Sequence, residues 1–156
     1  MKPLGFLLVL LLLSCGQGQP KDAVAVVTVL VEEVSITSNA FKIVDYDGLE
    51  DYLEKSKVAI TVVNFWATWC KPCIKELPYF EEVEAKYDDQ DVDVILVSLD
   101  FPDQIERLNK FIEKRNLKSE VVMLDDPDAN SWINKVDPSW SGAIPATIIY
   151  LSLIHI

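Results

Sequence analysis

The sequence predicts an α/β domain: a central, mostly parallel sheet with helices on both faces. Three observations carry the prediction. Short β-branched runs alternate along the chain with longer stretches whose apolar residues recur every three or four positions, the pattern of strands joined by helices. The run at residues 58–65 is rich in Val, Ile and Phe and carries no charge, as a strand covered on both faces would. Of the 156 residues, the roughly 140 that follow an apolar leader suit one domain that buries roughly two-thirds of its unfolded surface.

Residues 1–14 hold one basic residue, Lys2, and a leucine-rich run. That run falls short of the roughly 20 apolar residues of a membrane span and reads as a secretory signal peptide. Leu12-Leu13-Ser14-Cys15 resembles a bacterial lipobox, with Leu13 an unusual choice at its place, so lipidation of Cys15 is expected over a free thiol there. Domain 1–15 is thus a lipoprotein leader, 16–22 a polar Gly/Gln/Pro tether and 23–150 the folded domain.

Within that domain, residues 23–31 are small and β-branched and predict an edge strand. Residues 41–44 form the next strand. Asp47 and Glu50 then make a capping-box pattern for a helix through about 57, with Leu49, Tyr52 and Leu53 inward. After the strand at 58–65, Ile74, Leu77, Phe80, Val83 and Tyr87 mark a helix over 72–87, with Pro72 at its first turn. Residues 92–99 and 121–124 are further strands. Residues 104–115 form a helix with Ile105, Leu108 and Phe111 or Ile112 buried, and 129–135 a short one. Asp125, Asp126 and Asp128 lack calcium-loop spacing and read as helix caps. Trp140, in the turn at 138–142, either lines a binding surface or anchors the loop. Residues 146–150 are the last strand.

Twenty-five acidic against 14 basic residues give a net charge of −11, which argues against nucleic acid or anionic lipid headgroups as ligands. The reactive feature is Cys70-Lys71-Pro72-Cys73, at the end of the apolar strand and the start of a helix. Unpaired helix N–H groups favour a thiolate at Cys70. A fall in pKa from about 8.5 to about 7 would raise the thiolate fraction from roughly 3% to roughly half. Much of that gain is lost to lower nucleophilicity, so proximity matters more: Cys73, one turn on, can resolve a mixed disulfide formed at Cys70. Zinc needs four ligands, and beyond the pair the chain offers only Cys15 and His155, so no metal is expected.

At these residues, Phe65-Trp66-Ala67-Thr68-Trp69-Cys70-Lys71-Pro72-Cys73 followed by Glu76, the sequence resembles the thioredoxin superfamily and its TlpA-like envelope branch. The resemblance implies a thioredoxin-like fold with Cys70 as exposed nucleophile, Cys73 as resolving thiol, Trp69 beside them and Pro78 within the helix. It also implies that Ile144-Pro145 is a cis-proline loop that offers backbone to the substrate, with Lys71 and Pro72 on the same surface. The acid found beneath the cysteines in cytosolic thioredoxins is here Asn64, which cannot exchange a proton. Glu76, three residues after Cys73 and at the place of a functional glutamate in the envelope branch, is the candidate proton shuttle; a solvated helix-face carboxylate is the alternative.

The function implied is a lipid-anchored, periplasm-facing thiol:disulfide oxidoreductase of the bacterial envelope. It would need no cofactor, draw electrons from a membrane thiol donor and reduce secreted proteins or apocytochrome c. A thiol peroxidase would need a threonine where Ala67 stands. A metal- or substrate-binding lipoprotein would want wider cysteine spacing with a histidine, or no cysteine pair. No residue after Asp137 is charged. Thioredoxin folds continue past this point into a hairpin strand and a last helix, so both are expected to be missing and the tail 151–156 to be foreign sequence.

Overall fold

The computed structural model describes residues 39–152. The leader, Cys15, the tether, the strand expected at 23–31 and the tail from 153, with His155, lie outside the described residues. Among the described residues no helix is long and apolar enough to cross a membrane.

The strands are β1 (Lys42–Val44), β2 (Ile60–Trp66), β3 (Val92–Ser98), β4 (Glu120–Leu124) and β5 (Ala146–Leu151). Between them run α1 (Tyr46–Glu54), α2 (Lys71–Tyr87), α3 (Ile105–Arg115), preceded by a single 3-10 turn, and α4 (Ala129–Val136). They form one sheet of order β1-β4-β3-β2-β5. The pairs β1–β4, β4–β3 and β3–β2 are parallel, and β5 runs antiparallel to β2. The expected α/β class and mostly parallel sheet are therefore what the chain adopts.

Two apolar clusters sandwich the sheet. Leu77 of α2 with Leu108 and Ile112 of α3 pack on Trp66, Val94, Leu96 and Met123. Leu49 of α1 and Trp132 of α4 cover Val63, Phe65, Ile95, Val97 and Val122 on the other face. Val63, Phe65, Trp66, Leu96 and Val97 are fully buried, which is why these strands read as unbroken apolar runs. Each such side chain contributes about 1.5–3 kcal/mol of transfer free energy.

Two local expectations need correction. Helix α1 is capped by Asp45, whose Oδ1 accepts from the Gly48 N–H at 2.8 Å, and not by an Asp47–Glu50 box. The turn from β1 is tight enough that the helix begins at Tyr46, so Asp47 already lies inside its first turn. Asp128 sits at the N-cap of α4 but makes no side-chain cap bond. Asp126 instead accepts from the Tyr46 and Asp128 N–H groups, tying the loop after β4 to α1.

The register of β5 positions the site. Asn64 pairs with Thr147 and Phe65 with Ala146, so Ile144 and Pro145 fall beside the end of β2, where the cysteine loop begins. Pairing persists to Leu151 opposite Ile60, and the Ser152 N–H still donates to the Ala59 carbonyl at 2.9 Å.

Candidate active site

Strand β2 ends at buried Trp66, and buried Ala67 opens the short loop from which α2 starts. Cys70 is the N-cap of α2, with extended backbone (φ −86°, ψ 96°). Its Sγ accepts from the Cys73 N–H at 3.3 Å, while its carbonyl accepts from the Ile74 N–H at 3.1 Å. Pro72, lacking an N–H, occupies a first-turn position where none is needed. Pro78, farther along, leaves the carbonyl of Ile74 without its helical donor. The helix N-terminus therefore turns the Cys73 N–H, and with it the positive end of the helix dipole, toward the sulfur of Cys70.

Cys70 and Cys73 are joined by a disulfide. Cys70 keeps 5% of its surface exposed and Cys73 none, so an incoming thiol meets Cys70 first. The Ile144–Pro145 peptide is cis, and the Ile144 carbonyl oxygen lies 3.9 Å from the Cys70 Sγ. The disulfide has no hydrogen to donate to that oxygen, but a Cys70 thiol has. Trp69, 45% exposed, borders the pair, and Lys71, Pro72 and Pro145 are exposed around it.

The loop before Pro145 is pinned. Trp140 packs on Phe65 with ring centroids 4.7 Å apart and donates from Nε1 to the Ala143 carbonyl at 2.8 Å. Gly142 has φ +81°, and a Cβ there would stand 2.6 Å from Ile133 Cδ1. Trp140 is thus a loop anchor, which answers the alternative that the sequence left open.

Beneath the site, Glu76 is half-buried on α2, and its Oε1 accepts from Asn64 Nδ2 at 3.0 Å. The same nitrogen lies 3.1 Å from Thr147 Oγ1 and 3.4 Å from the Ala146 carbonyl. The residue that cannot carry a proton is therefore bonded to the one that can.

Sequence reasoning missed a second buried network. Asp100, 2% exposed, accepts from the Thr68 N–H (2.9 Å), the Thr68 hydroxyl (2.5 Å) and the Ser98 hydroxyl (2.8 Å). Arg107 of α3 donates from Nη2 to the Thr68 carbonyl at 3.0 Å. Thr68 is two residues before Cys70, so this network holds the loop that leads into the cysteine pair. The available signal was position: Asp100 stands two residues after an apolar parallel strand, and the carboxyl ends of such strands are where α/β sheets place their sites.

A cysteine pair at a strand-to-helix junction, faced by a cis-proline loop on this sheet, defines a thioredoxin-like domain. Solved structures agree in fold: a thioredoxin-related protein from Neisseria meningitidis serogroup B has a TM-score of 0.56 at 23% identity, covering 64% of this chain and 70% of that one. A thiol:disulfide interchange protein from Bacteroides sp. has a TM-score of 0.53 at 23% identity, covering 64% of this chain and 62% of that one.

Residues 33–150 match the AhpC/TSA family, and the chain belongs to it. Among curated relatives, thiol-disulfide oxidoreductase ResA of Bacillus cereus (strain ATCC 10987 / NRS 248) is 33% identical over 91 residues, 58% of this chain and 51% of that protein. ResA of Geobacillus thermodenitrificans (strain NG80-2) is 35% identical over 92 residues, 58% of this chain and 51% of that protein. The chain thus spans about half the length of the curated relatives it matches.

Proposed function

We propose that this chain is a thiol:disulfide oxidoreductase of the bacterial envelope, anchored through a lipid on Cys15 and working as a reductase by dithiol exchange. The observation that carries the reading is the Cys70–Cys73 disulfide at the head of α2, its more exposed sulfur beside the Ile144 carbonyl.

The cycle begins when a membrane thiol donor reduces the pair. The Cys70 thiolate then attacks one sulfur of a substrate disulfide, forming a mixed disulfide and releasing the first substrate thiolate. Glu76, as carboxylate, takes the proton from the Cys73 thiol. The Cys73 thiolate attacks Cys70 Sγ, closing the Cys70–Cys73 bond and releasing the second substrate sulfur, which regains a proton. Two electrons pass from the cysteine pair to the substrate, and no cofactor takes part. Trp69, Lys71, Pro72 and the backbone at Ile144-Pro145 form the surface on which an extended substrate segment lies. Disulfide-bearing secreted proteins and apocytochrome c are the substrates this reading favours.

Insulin disulfide reduction tests it, with Cys70→Ser as control: wild type is expected to turn over and the variant not at all. Peroxide consumption lost with Cys70 while insulin stays intact would overturn the reductase in favour of a peroxidase. The equilibrium potential against glutathione fixes direction, a reductant lying near about −270 mV and an oxidant near about −120 mV. Metabolic labelling with palmitate tests the anchor, which predicts label lost in Cys15→Ser.

A further inference from the structure

We propose that Asn64 is a positioning residue that couples the substrate loop to Glu76; the proposal rests on Glu76 being the proton carrier. Three observations combine. The Asn64 side chain is fully buried, so each of its polar atoms needs a protein partner. All of its bonds are made by Nδ2, to Glu76 Oε1, Thr147 Oγ1 and the Ala146 carbonyl, while Oδ1 has none. And those partners come from two places that matter: α2, one turn beyond Cys73, and the two residues that follow Pro145.

The orphaned Oδ1 shows what sets the amide's direction. Turned over, Oδ1 would face Glu76 Oε1, two acceptors against each other, and an ionised Glu76 forbids that. Turning it would also leave two buried N–H groups where Oδ1 now has no partner, so the amide keeps its direction. Its two hydrogens are shared among three acceptors, and Glu76 as a carboxylate takes a larger share than Glu76 as a carboxylic acid. Proton occupancy at Glu76 and the grip on the strand behind the cis-proline are therefore linked, and linkage is reciprocal. A substrate segment that engages residues 144–146 biases Glu76 toward the charge state in which it accepts the Cys73 proton.

The test uses the full chain and the pH profile of insulin reduction. Asn64→Leu, which removes the N–H that donates to Glu76 Oε1, is expected to move the acid limb to higher pH. Thr147→Val, at an exposed strand position, removes an acceptor that competes with Glu76 for Nδ2; it is expected to move the limb the opposite way and keeps the test open if Asn64→Leu does not fold. In a Glu76→Gln background neither change is expected to alter the profile further. Independently, the Asn64 side-chain amide resonances are expected to titrate with the midpoint of that limb and to stay fixed in Glu76→Gln. A uniform rate loss at every pH in Asn64→Leu and Thr147→Val, while Glu76→Gln does shift the limb, overturns the coupling and leaves the proton carrier standing. A Glu76→Gln profile identical to wild type removes the proton carrier, and the coupling with it.

Discussion

Asp100 is costly to disturb, because three buried donors are aimed at its side chain. Asp100→Asn keeps one acceptor oxygen for the Thr68 N–H and the Ser98 hydroxyl, removes the charge, and puts a donor against the Thr68 hydroxyl, which must turn to accept it. It is expected to lower stability by about 2–3 kcal/mol, seen as a lower urea midpoint with unchanged slope. Thr68→Val, which removes only the hydroxyl partner, is expected to cost about 1 kcal/mol. An Asp100→Asn midpoint equal to that of wild type would mean the network is solvated rather than closed. Gly142 presents a different kind of constraint. Its positive φ and the Ile133 methyl beneath it both resist a side chain, so Gly142→Ala is expected to lose about 1–2 kcal/mol. Ile133→Val in the same chain should recover the part due to contact and not the part due to φ.

Helix α2 shows how far the sequence could be read at the level of elements. Its start, its apolar stripe and Cys70 at its head were all legible, because Pro72 and the spacing of Ile74, Leu77 and Phe80 are local signals. The cis Ile144–Pro145 bond was legible only through resemblance, since its role depends on a strand pairing many residues distant in sequence. Asp100, Thr68 and Arg107 were not legible for the same reason: three elements meet there, and no window of sequence contains them all. The caps of α1 and α4 misled because aspartates crowd both boundaries, and turn geometry, not residue type, chooses which one bonds. The cap on α2 is itself testable. Cys70→Ser keeps an acceptor for the Cys73 N–H and Cys70→Ala does not, and neither forms the disulfide. Their difference in unfolding free energy is expected to be about 0.5–2 kcal/mol in favour of serine. Equal stabilities would show that the sulfur does not cap the helix.

Over the whole molecule, acidic groups outnumber basic ones, and the imbalance concentrates where α2 passes the start of β3. Burial pushes the Glu84 carboxyl up, against a partly opposing bond from the Val94 N–H, with Asp93, Asp88 and Glu81 adding to the rise. Asp93 is raised by burial first, then by Glu120, Asp88 and Asp91. For both, ionising in the folded chain is harder than in the unfolded one. Their contribution to stability is therefore whole below the ordinary carboxylate range of about 3.9–4.3 and is lost as pH rises through the raised folded values. Asp93→Asn removes one of these charges. Its Tm is expected to exceed that of wild type at neutral pH, with the gain shrinking on acidification and vanishing below the ordinary range. The difference between the two proteins cancels groups of opposite sign such as Asp137, which its Ser139 bonds hold low. Added salt should narrow the gap, since it screens the repulsion from Glu120, Asp88 and Asp91 that asparagine does not feel. A variant less stable than wild type at neutral pH would mean that Asp93 holds a favourable partner when charged, and the acidic start of β3 would then stabilise the fold rather than strain it.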